Sequence, residues 1–241
     1  MTKHALLFAG CINNYYKEYR YGNDLSFMHS VLVNKGYEVK VLYAEGETLY
    51  YKNISIETRT CSKVNFIETM LDYSLKLTDE DTLFIMFSNH GVREGINCWG
   101  KDIITKSELK EQLGLINAKK IIVLGQCYGG NLINIEVENS IFISANEANG
   151  KTIASVDDNY DEFLLHFIAY LNNGYPDGRA INRDENNGSI LAAYEYACEN
   201  DAYTETPYIY NQKIDEIEII EKIYEIPQIK FNNQADICIL I

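Results

Sequence analysis

Cys127 has the clearest potential for chemistry in this sequence, because of where it stands. It follows the apolar run Lys-Lys-Ile-Ile-Val-Leu (119–124), which is typical of a buried strand, and it precedes two glycines, Gly129 and Gly130. A cysteine thiolate is a strong nucleophile, and glycine lets the backbone turn tightly around a reactive atom. The stretch therefore predicts covalent catalysis by a cysteine at the end of a strand.

A nucleophilic thiol needs a base to take its proton, and four histidines could serve. Three of them stand at the amino end of a predicted strand or within apolar helical patterns, where packing roles are usual: His4, His29 and His166. His90 instead follows the apolar run Leu-Phe-Ile-Met-Phe-Ser-Asn and precedes Gly91. We therefore pair His90 with Cys127 as base and nucleophile.

The elements around these residues would place them at one edge of a sheet. Apolar runs predict strands near 4–10, 37–43, 81–88, 119–125 and 140–145, and helical patterns alternate with them near 24–36, 62–77 and 105–116. This alternation predicts an α/β fold with a mainly parallel sheet that is covered on both faces. In such sheets the site lies beyond the carboxyl ends of the strands. Two further helical patterns follow, in 157–174 and 189–201.

The glycines around Cys127 also fit the nucleophile elbow of α/β-hydrolases, where the pattern is Gly-x-nucleophile-x-Gly. Those enzymes place the acid and the histidine after the nucleophile along the chain. Here the only histidine after Cys127 is His166, which lies in a helical pattern. A cysteine hydrolase of the dienelactone type is therefore the second interpretation.

Four ordered blocks of the sequence resemble caspase-fold cysteine peptidases, the group that includes legumains, caspases, metacaspases and gingipains. The blocks are residues 6–43, which resemble the opening of legumain-like enzymes, the His-Gly pair at 90–91, the Gln-Cys-Tyr-Gly-Gly stretch at 126–130, and residues 187–210, which resemble bacterial members. The resemblance covers about 4–210. It implies a single domain over 1–241, built as a three-layer α/β/α sandwich with a mainly parallel sheet of about six strands, and it leaves 211–241 unassigned.

The resemblance implies that His90 and Cys127 form a dyad and that the amides of Gly91 and Cys127 make the oxyanion hole. Two amides at strand ends can bind the developing oxyanion. Legumains support the histidine with an Asn where this sequence has Glu18. We therefore expect Asn89 or a backbone carbonyl to support the imidazole.

The resemblance also implies which residues bind the substrate side chain before the cut. They are Arg20, Gln126, Ser144 and Asp161. A cation and an anion around a neutral amide suit Asn, which offers one acceptor and two donors. The sequence thus predicts cleavage after Asn or Asp, with Asn slightly ahead and basic residues last. A solvated loop charge for Arg20 and a helix cap for Asp161 are the simpler alternatives.

Charge limits the partners that this chain can bind. It has 21 Lys and Arg against 35 Asp and Glu, a net charge of −14, which repels nucleic-acid phosphates and anionic lipids. The apolar run in the first ten residues is too short for a secretion signal or a membrane span. We therefore expect a cytoplasmic protein that acts on a protein or peptide substrate, with no nucleic-acid or membrane partner and with any regulatory partner or ligand left open.

The sequence gives no reason to expect a cofactor or a metal. Its six cysteines are scattered, without the close pairs of a zinc site or the density of a disulfide scaffold. Residues 183–188 depart from a calcium loop at the positions that need carboxylates. A non-catalytic binding module with the caspase fold is the third interpretation, and the presence of both His90 and Cys127 argues against it.

Overall fold

The centre of the protein is a six-stranded sheet, seen in a computed structural model that describes residues 1–181, 188–214 and 217–232. The strands in chain order are β1 (Lys3–Ala9), β2 (Glu38–Tyr43), β3 (Leu49–Tyr51), β4 (Ile54–Ile56), β5 (Thr82–Asn89), β6 (Gly91–Val92), β7 (Gly95–Asn97), β8 (Ile103–Thr105), β9 (Lys119–Gln126), β10 (Ser140–Ser144), β11 (Tyr208–Ile214), β12 (Ile217–Ile223) and β13 (Gln228–Asn232). The helices are α1 (Tyr19–Asn34), α2 (Lys63–Lys76), α3 (Lys106–Gly114), α4 (Glu162–Asn172) and α5 (Ile190–Asn200).

The central sheet has the order β13-β10-β9-β5-β1-β2. Its pairs are parallel except at one edge, where β13 runs antiparallel to β10. The predicted α/β fold with a mainly parallel sheet of about six strands is therefore confirmed. The sixth strand comes from 211–241, the part that the sequence left unassigned, whereas 233–241 lie outside the described residues.

Helices cover both faces of this sheet, which explains why its strands are apolar along their whole length. Ala5 and Leu7 of β1 pack in one buried cluster with residues of α1, α4 and α5, while Leu6 and Phe8 pack in a second cluster with α2 and α3. Every residue of β5 is buried. The three layers therefore hold the carboxyl ends of β5 and β9 rigidly beside each other.

Four of the five helices in the described residues begin after a capping side chain. A side-chain oxygen accepts a hydrogen bond from the backbone N–H three residues further on at Ser62, Thr105, Asp161 and Ser189. The first helix differs, because α1 begins at Tyr19 rather than near 24. Asp24 is instead buried within α1, where its carboxylate accepts a hydrogen bond of 2.6 Å from the Ser88 hydroxyl. Arg20 consequently lies in a helical turn and not in a loop.

The segment between β12 and β13 packs against the loop that follows β10. Asn146 joins the two, because its side chain accepts from the Ile226 amide at 3.0 Å and donates to the Tyr224 carbonyl at 3.1 Å. Glu225 adds a hydrogen bond of 2.5 Å from the Ile153 amide. This contact between distant parts of the chain fixes the loop 146–155, which reaches Cys127.

Candidate active site

His90 and Cys127 lie at the ends of two adjacent parallel strands. In the register of β5 and β9, Asn89 pairs with Gln126, and the next residue of each strand is His90 and Cys127 respectively. Both side chains are partly open to solvent, with 27% of the His90 side chain exposed. The structure thus brings the two residues to the same edge of the sheet.

The sulfur of Cys127 contacts Thr152, a residue that no sequence motif marks as functional. The Thr152 amide donates to Sγ at 3.3 Å, and the Thr152 hydroxyl lies 3.7 Å from the same atom. The Thr152 carbonyl oxygen also lies 4.0 Å from Sγ. Thr152 is therefore the residue whose backbone and side chain both contact the sulfur of Cys127.

The other described cysteines differ from Cys127 in their surroundings. Cys11, Cys61 and Cys98 are buried, and burial raises the pKa of Cys11 and Cys98 to about 12 and that of Cys61 well above its usual range. Burial also raises the pKa of Cys198, which is half-buried. These thiols resist ionisation at neutral pH, as expected of packing residues.

The imidazole of His90 is held from the side of its Nε2 atom. This nitrogen lies 3.0 Å from the Tyr16 carbonyl oxygen and 3.3 Å from a Glu18 carboxylate oxygen. Both oxygens only accept, so we assign the proton of the neutral ring to Nε2, which leaves Nδ1 as the nitrogen that can take a proton from a thiol. The Tyr21 ring packs edge-on against the imidazole at 5.2 Å between ring centres.

Asn89 does not support the imidazole, although it was one of the two expected candidates. Its side chain accepts from the Cys11 amide at 2.9 Å and donates to the Asn97 carbonyl at 2.5 Å. A backbone carbonyl, the other expected support, is found at Tyr16. Asn89 instead connects β1, β5 and β7 beneath the site.

The residue after His90 must be a glycine, Gly91, because there is no room for a side chain at this position. A Cβ atom built on Gly91 would stand 1.8 Å from the Cys127 carbonyl oxygen and 3.1 Å from the Cys127 amide nitrogen. The two main chains therefore touch at this point, closer than any side chain allows. An oxyanion hole made from the amides of these two residues stays a prediction.

A cavity of about 450 Å³ opens beside the cysteine. Its walls are Arg20, Thr152, Ile153, Ala154, Ser155, Val156, Asp158, Tyr203 and Tyr208. Thr152 joins the cavity to Cys127, and Arg20 supplies a cation whose side chain is only 14% exposed. The wall thus combines the cation of Arg20 with the exposed carboxylate of Asp158, which suits a polar side chain of a ligand.

Arg20 is held in the cavity wall by two neighbours. Its Nε lies 2.8 Å from Glu18 Oε2, although that N–H is not aligned for a hydrogen bond, and Nη2 donates to the Tyr21 hydroxyl at 3.3 Å. Burial opposes the charge of the guanidinium, but Tyr21, Glu18 and Asp161 raise the pKa of Arg20 above its ordinary value. Arg20 therefore remains a cation in the cavity.

Gln126 and Ser144 do not line this cavity. The Gln126 side chain is fully buried, and its amide donates to the Gly95 carbonyl at 3.2 Å. The Ser144 hydroxyl is also buried and donates to the Asn146 carbonyl at 2.6 Å. Neither side chain is among the residues that line the cavity, although the buried Oε1 atom of Gln126 has no hydrogen-bond partner.

Asp161 caps α4 and stands behind the cavity wall. Its carboxylate accepts from the Leu164 amide at 3.1 Å and from the Thr152 hydroxyl. Burial raises the pKa of Asp161, and the charge of Arg20 opposes that rise. Asp161 therefore fulfils the simpler expectation of a helix cap and also lies close enough to act on the charge of Arg20.

Two further buried carboxyls, Asp201 and Glu225, meet behind Asp161, and we refer to them as the carboxyl pair. One oxygen of Asp201 accepts a hydrogen bond from the Tyr203 amide at 2.8 Å, and one oxygen of Glu225 accepts from the Ile153 amide. The remaining oxygen of each has no hydrogen-bond partner unless one carboxyl is protonated and donates to the other. Burial accordingly raises the pKa of both groups. The sequence missed this pair because Glu225 lies in the unassigned tail.

The described residues show neither a metal cluster nor a membrane helix. Within 1–181, 188–214 and 217–232, no group of three or more His, Cys, Asp and Glu side chains could hold a metal ion. No helix in these ranges is long and apolar enough to cross a membrane. Residues 183–187, most of the stretch compared with a calcium loop, lie outside the described residues.

Comparison with known proteins identifies the fold. A protein from Geobacter sulfurreducens superposes with a TM-score of 0.63 at 11% sequence identity, covering 100% of this chain and 98% of its own. Caspase-1 from Spodoptera frugiperda superposes with a TM-score of 0.62 at 11% identity, covering 96% of this chain and 87% of its own. No family model and no curated protein matches the sequence. The chain has a caspase-like fold.

Proposed function

We propose that this protein is a cysteine endopeptidase of the caspase-fold group that uses Cys127 and His90. The observation that carries the proposal is the register of β5 and β9, in which these residues directly follow the paired Asn89 and Gln126. The contacts of His90 Nε2 with Tyr16 and Glu18 leave Nδ1 able to accept a proton, which is consistent with the proposal. The caspase-1 neighbour supports the same chemistry through its fold.

In the proposed reaction the thiol proton passes to His90 Nδ1, and the Cys127 sulfur attacks the carbonyl carbon of the peptide bond. Amides of Gly91 and Cys127 stabilise the tetrahedral oxyanion. The imidazolium then gives its proton to the departing amine, and the acyl-enzyme remains on sulfur. Water, activated by the same imidazole, hydrolyses this thioester and restores the free cysteine.

The cavity favours Asn or Asp before the cut, in the manner of legumain-like and caspase-like enzymes. Arg20 attracts a carboxylate or a carboxamide oxygen, and it repels Lys or Arg. Glu18 and Asp161 offset part of its charge, which keeps a neutral amide acceptable. The substrate is accordingly a protein or peptide with Asn or Asp at the cleavage point.

The second interpretation, a cysteine hydrolase of the dienelactone type, would need His166 as its base. His166 Nδ1 instead lies 2.7 Å from the Tyr175 hydroxyl, and its Nε2 lies 3.3 Å from the Glu162 carboxylate. Both ring nitrogens are therefore engaged away from Cys127. This arrangement favours the endopeptidase.

The decisive experiment compares the wild type with Cys127→Ala on a library of peptides. We expect the wild type to cleave after Asn and Asp and the variant to show no turnover at unchanged thermal stability, because only the nucleophile is lost. Iodoacetamide should modify Cys127 before the other cysteines. Cys198→Ala is the matched control, since Cys198 is the other half-buried cysteine in the described ranges. Retained cleavage by Cys127→Ala, or loss of cleavage in Cys198→Ala alone, contradicts the proposal.

A further inference from the structure

Glu18 touches both halves of the candidate site. One carboxylate oxygen, Oε1, lies 3.3 Å from Nε2 of His90, and the other, Oε2, lies 2.8 Å from Nε of Arg20. His90 belongs to the reacting pair, and Arg20 belongs to the wall of the substrate cavity. A single side chain thus bridges the base and the cation of the cavity.

We propose that Glu18 is a positioning residue that orients His90 with one oxygen and Arg20 with the other, and that its charge lets the cavity accept a neutral amide. The inference rests on the proposed function and deepens it, because it names the residue that connects the chemistry with the specificity. Tyr16 holds the same nitrogen of His90 through its carbonyl but carries no charge. Glu18 therefore contributes a negative charge beside His90, which the Tyr16 carbonyl lacks.

The charge of Glu18 is present throughout the working range. Burial alone would raise the pKa of Glu18, but the hydrogen bond to His90 and the charge of Arg20 lower it below its ordinary value. The carboxylate stabilises the imidazolium that forms when the thiol gives up its proton. It also offsets the positive charge of Arg20, so the cavity attracts a carboxylate less strongly than a lone guanidinium would.

Replacing Glu18 with Gln should therefore slow the chemical step at His90 and, at the same time, strengthen the attraction of Arg20 for an acidic ligand. The change keeps the shape of the side chain and removes its charge. The chemical step slows because the imidazolium loses a counter-charge, while attraction of Arg20 for an acidic ligand grows. A residue that only maintained the fold would instead weaken reactions with neutral and acidic ligands by the same factor. The opposite signs are thus specific to the proposed role.

The experiment measures two ratios in the wild type, in Glu18→Gln and in the control Glu47→Gln. Glu47 is a good control because it is similarly exposed, 43% against 39% for Glu18, and pairs with Lys17, the residue before Glu18. Glu47→Gln therefore removes a charge beside the same segment without removing a contact to His90 or Arg20. The first ratio is kcat/KM for a peptide with Asp before the cut, divided by kcat/KM for the same peptide with Asn at that position. The second ratio is the rate of alkylation of Cys127 by iodoacetate, which is anionic, divided by the rate with neutral iodoacetamide. Both reagents react with the same thiolate, so the fraction of thiolate cancels.

We expect Glu18→Gln to raise both ratios roughly tenfold and to lower kcat on the Asn peptide roughly tenfold, with Glu47→Gln unchanged. Unchanged ratios, or equal slowing with both members of each pair, would overturn the role of Glu18. If the wild type cleaves no peptide, the endopeptidase proposal fails. The alkylation ratio then still tests whether Glu18 offsets the charge of Arg20. NMR exchange of the His90 Nε2 proton tests whether Glu18 holds the imidazole. Faster exchange in Glu18→Gln supports the inference, and an unchanged exchange rate refutes it.

Discussion

Gly91→Ala offers a sharp test of the contact between the strand ends of the site. The new methyl carbon would stand 1.8 Å from the Cys127 carbonyl oxygen and 2.8 Å from its carbonyl carbon, where real contacts stay beyond 3.0 Å. Both obstacles are backbone atoms, so the two main chains must separate by more than about 1 Å. A displacement of about 1 Å in a reacting group costs roughly a hundredfold in rate. Overpacking of this kind costs about 1–3 kcal/mol of stability.

The assay for Gly91→Ala combines thermal unfolding, alkylation of Cys127 and peptide turnover. Gly114→Ala is the matched control, because a Cβ at Gly114, the last residue of α3, meets no atom within 4 Å. We expect that control to equal the wild type or to gain about 0.4–1 kcal/mol. Protection of the buried Cys11 from alkylation shows that the Gly91 variant is still folded. A folded Gly91→Ala enzyme with turnover within twofold of the wild type would refute the reasoning.

Three further predictions concern the carboxyls behind the cavity. Asp161→Asn keeps the α4 cap but removes a charge near Arg20, so cleavage after Asp relative to Asn should rise severalfold near neutral pH on paired peptides. In the wild type the share of Asp should also rise as pH falls through the raised pKa of Asp161, and a flat profile would contradict this. Glu225→Gln addresses stability. Because burial raises the pKa of Glu225, its stabilising contribution is complete below about pH 4 and is lost as pH rises through the folded-state pKa. The thermal midpoint of Glu225→Gln should therefore fall less than that of the wild type between about pH 5 and 8, and parallel curves would exclude the effect.

The sequence was sufficient for five of the six strands of the central sheet because the relevant signals are local, whereas β13 lies in the segment left unassigned. Apolar runs marked β1, β2, β5, β9 and β10, and Ser or Thr caps marked the starts of α2 and α3. The start of α1 was missed because Asp24 has the residue type of a cap, whereas burial against Ser88 places it inside the helix. Tertiary contact decided this boundary over local preference.

The placement of His90 and Cys127 at one edge of the sheet could be expected from the sequence for a geometric reason, since the carboxyl ends of parallel strands meet there. The supporting residues could not, because they come from loops and distant segments. Thr152 reaches the sulfur on the loop after β10, which is held both by nearby residues such as Tyr128 and by Glu225 from the β12–β13 connection. The directions of Gln126 and Ser144 likewise depend on contacts with β7 and with the turn after β10.

The hydrogen bond between Glu225 and the Ile153 amide has a consequence for the order in which the site is completed during synthesis. Cys127 leaves the ribosome about 100 residues before Glu225, an interval of roughly 5–20 s at ordinary rates of translation. Until Glu225 and Ile226 arrive, Ile153 and Asn146 lack these two partners, and the loop that carries Thr152 to the sulfur is held by earlier contacts such as that of the Tyr128 amide with the Gly150 carbonyl. The nascent chain thus carries Cys127 for several seconds before the last contacts that brace the loop beside it can form.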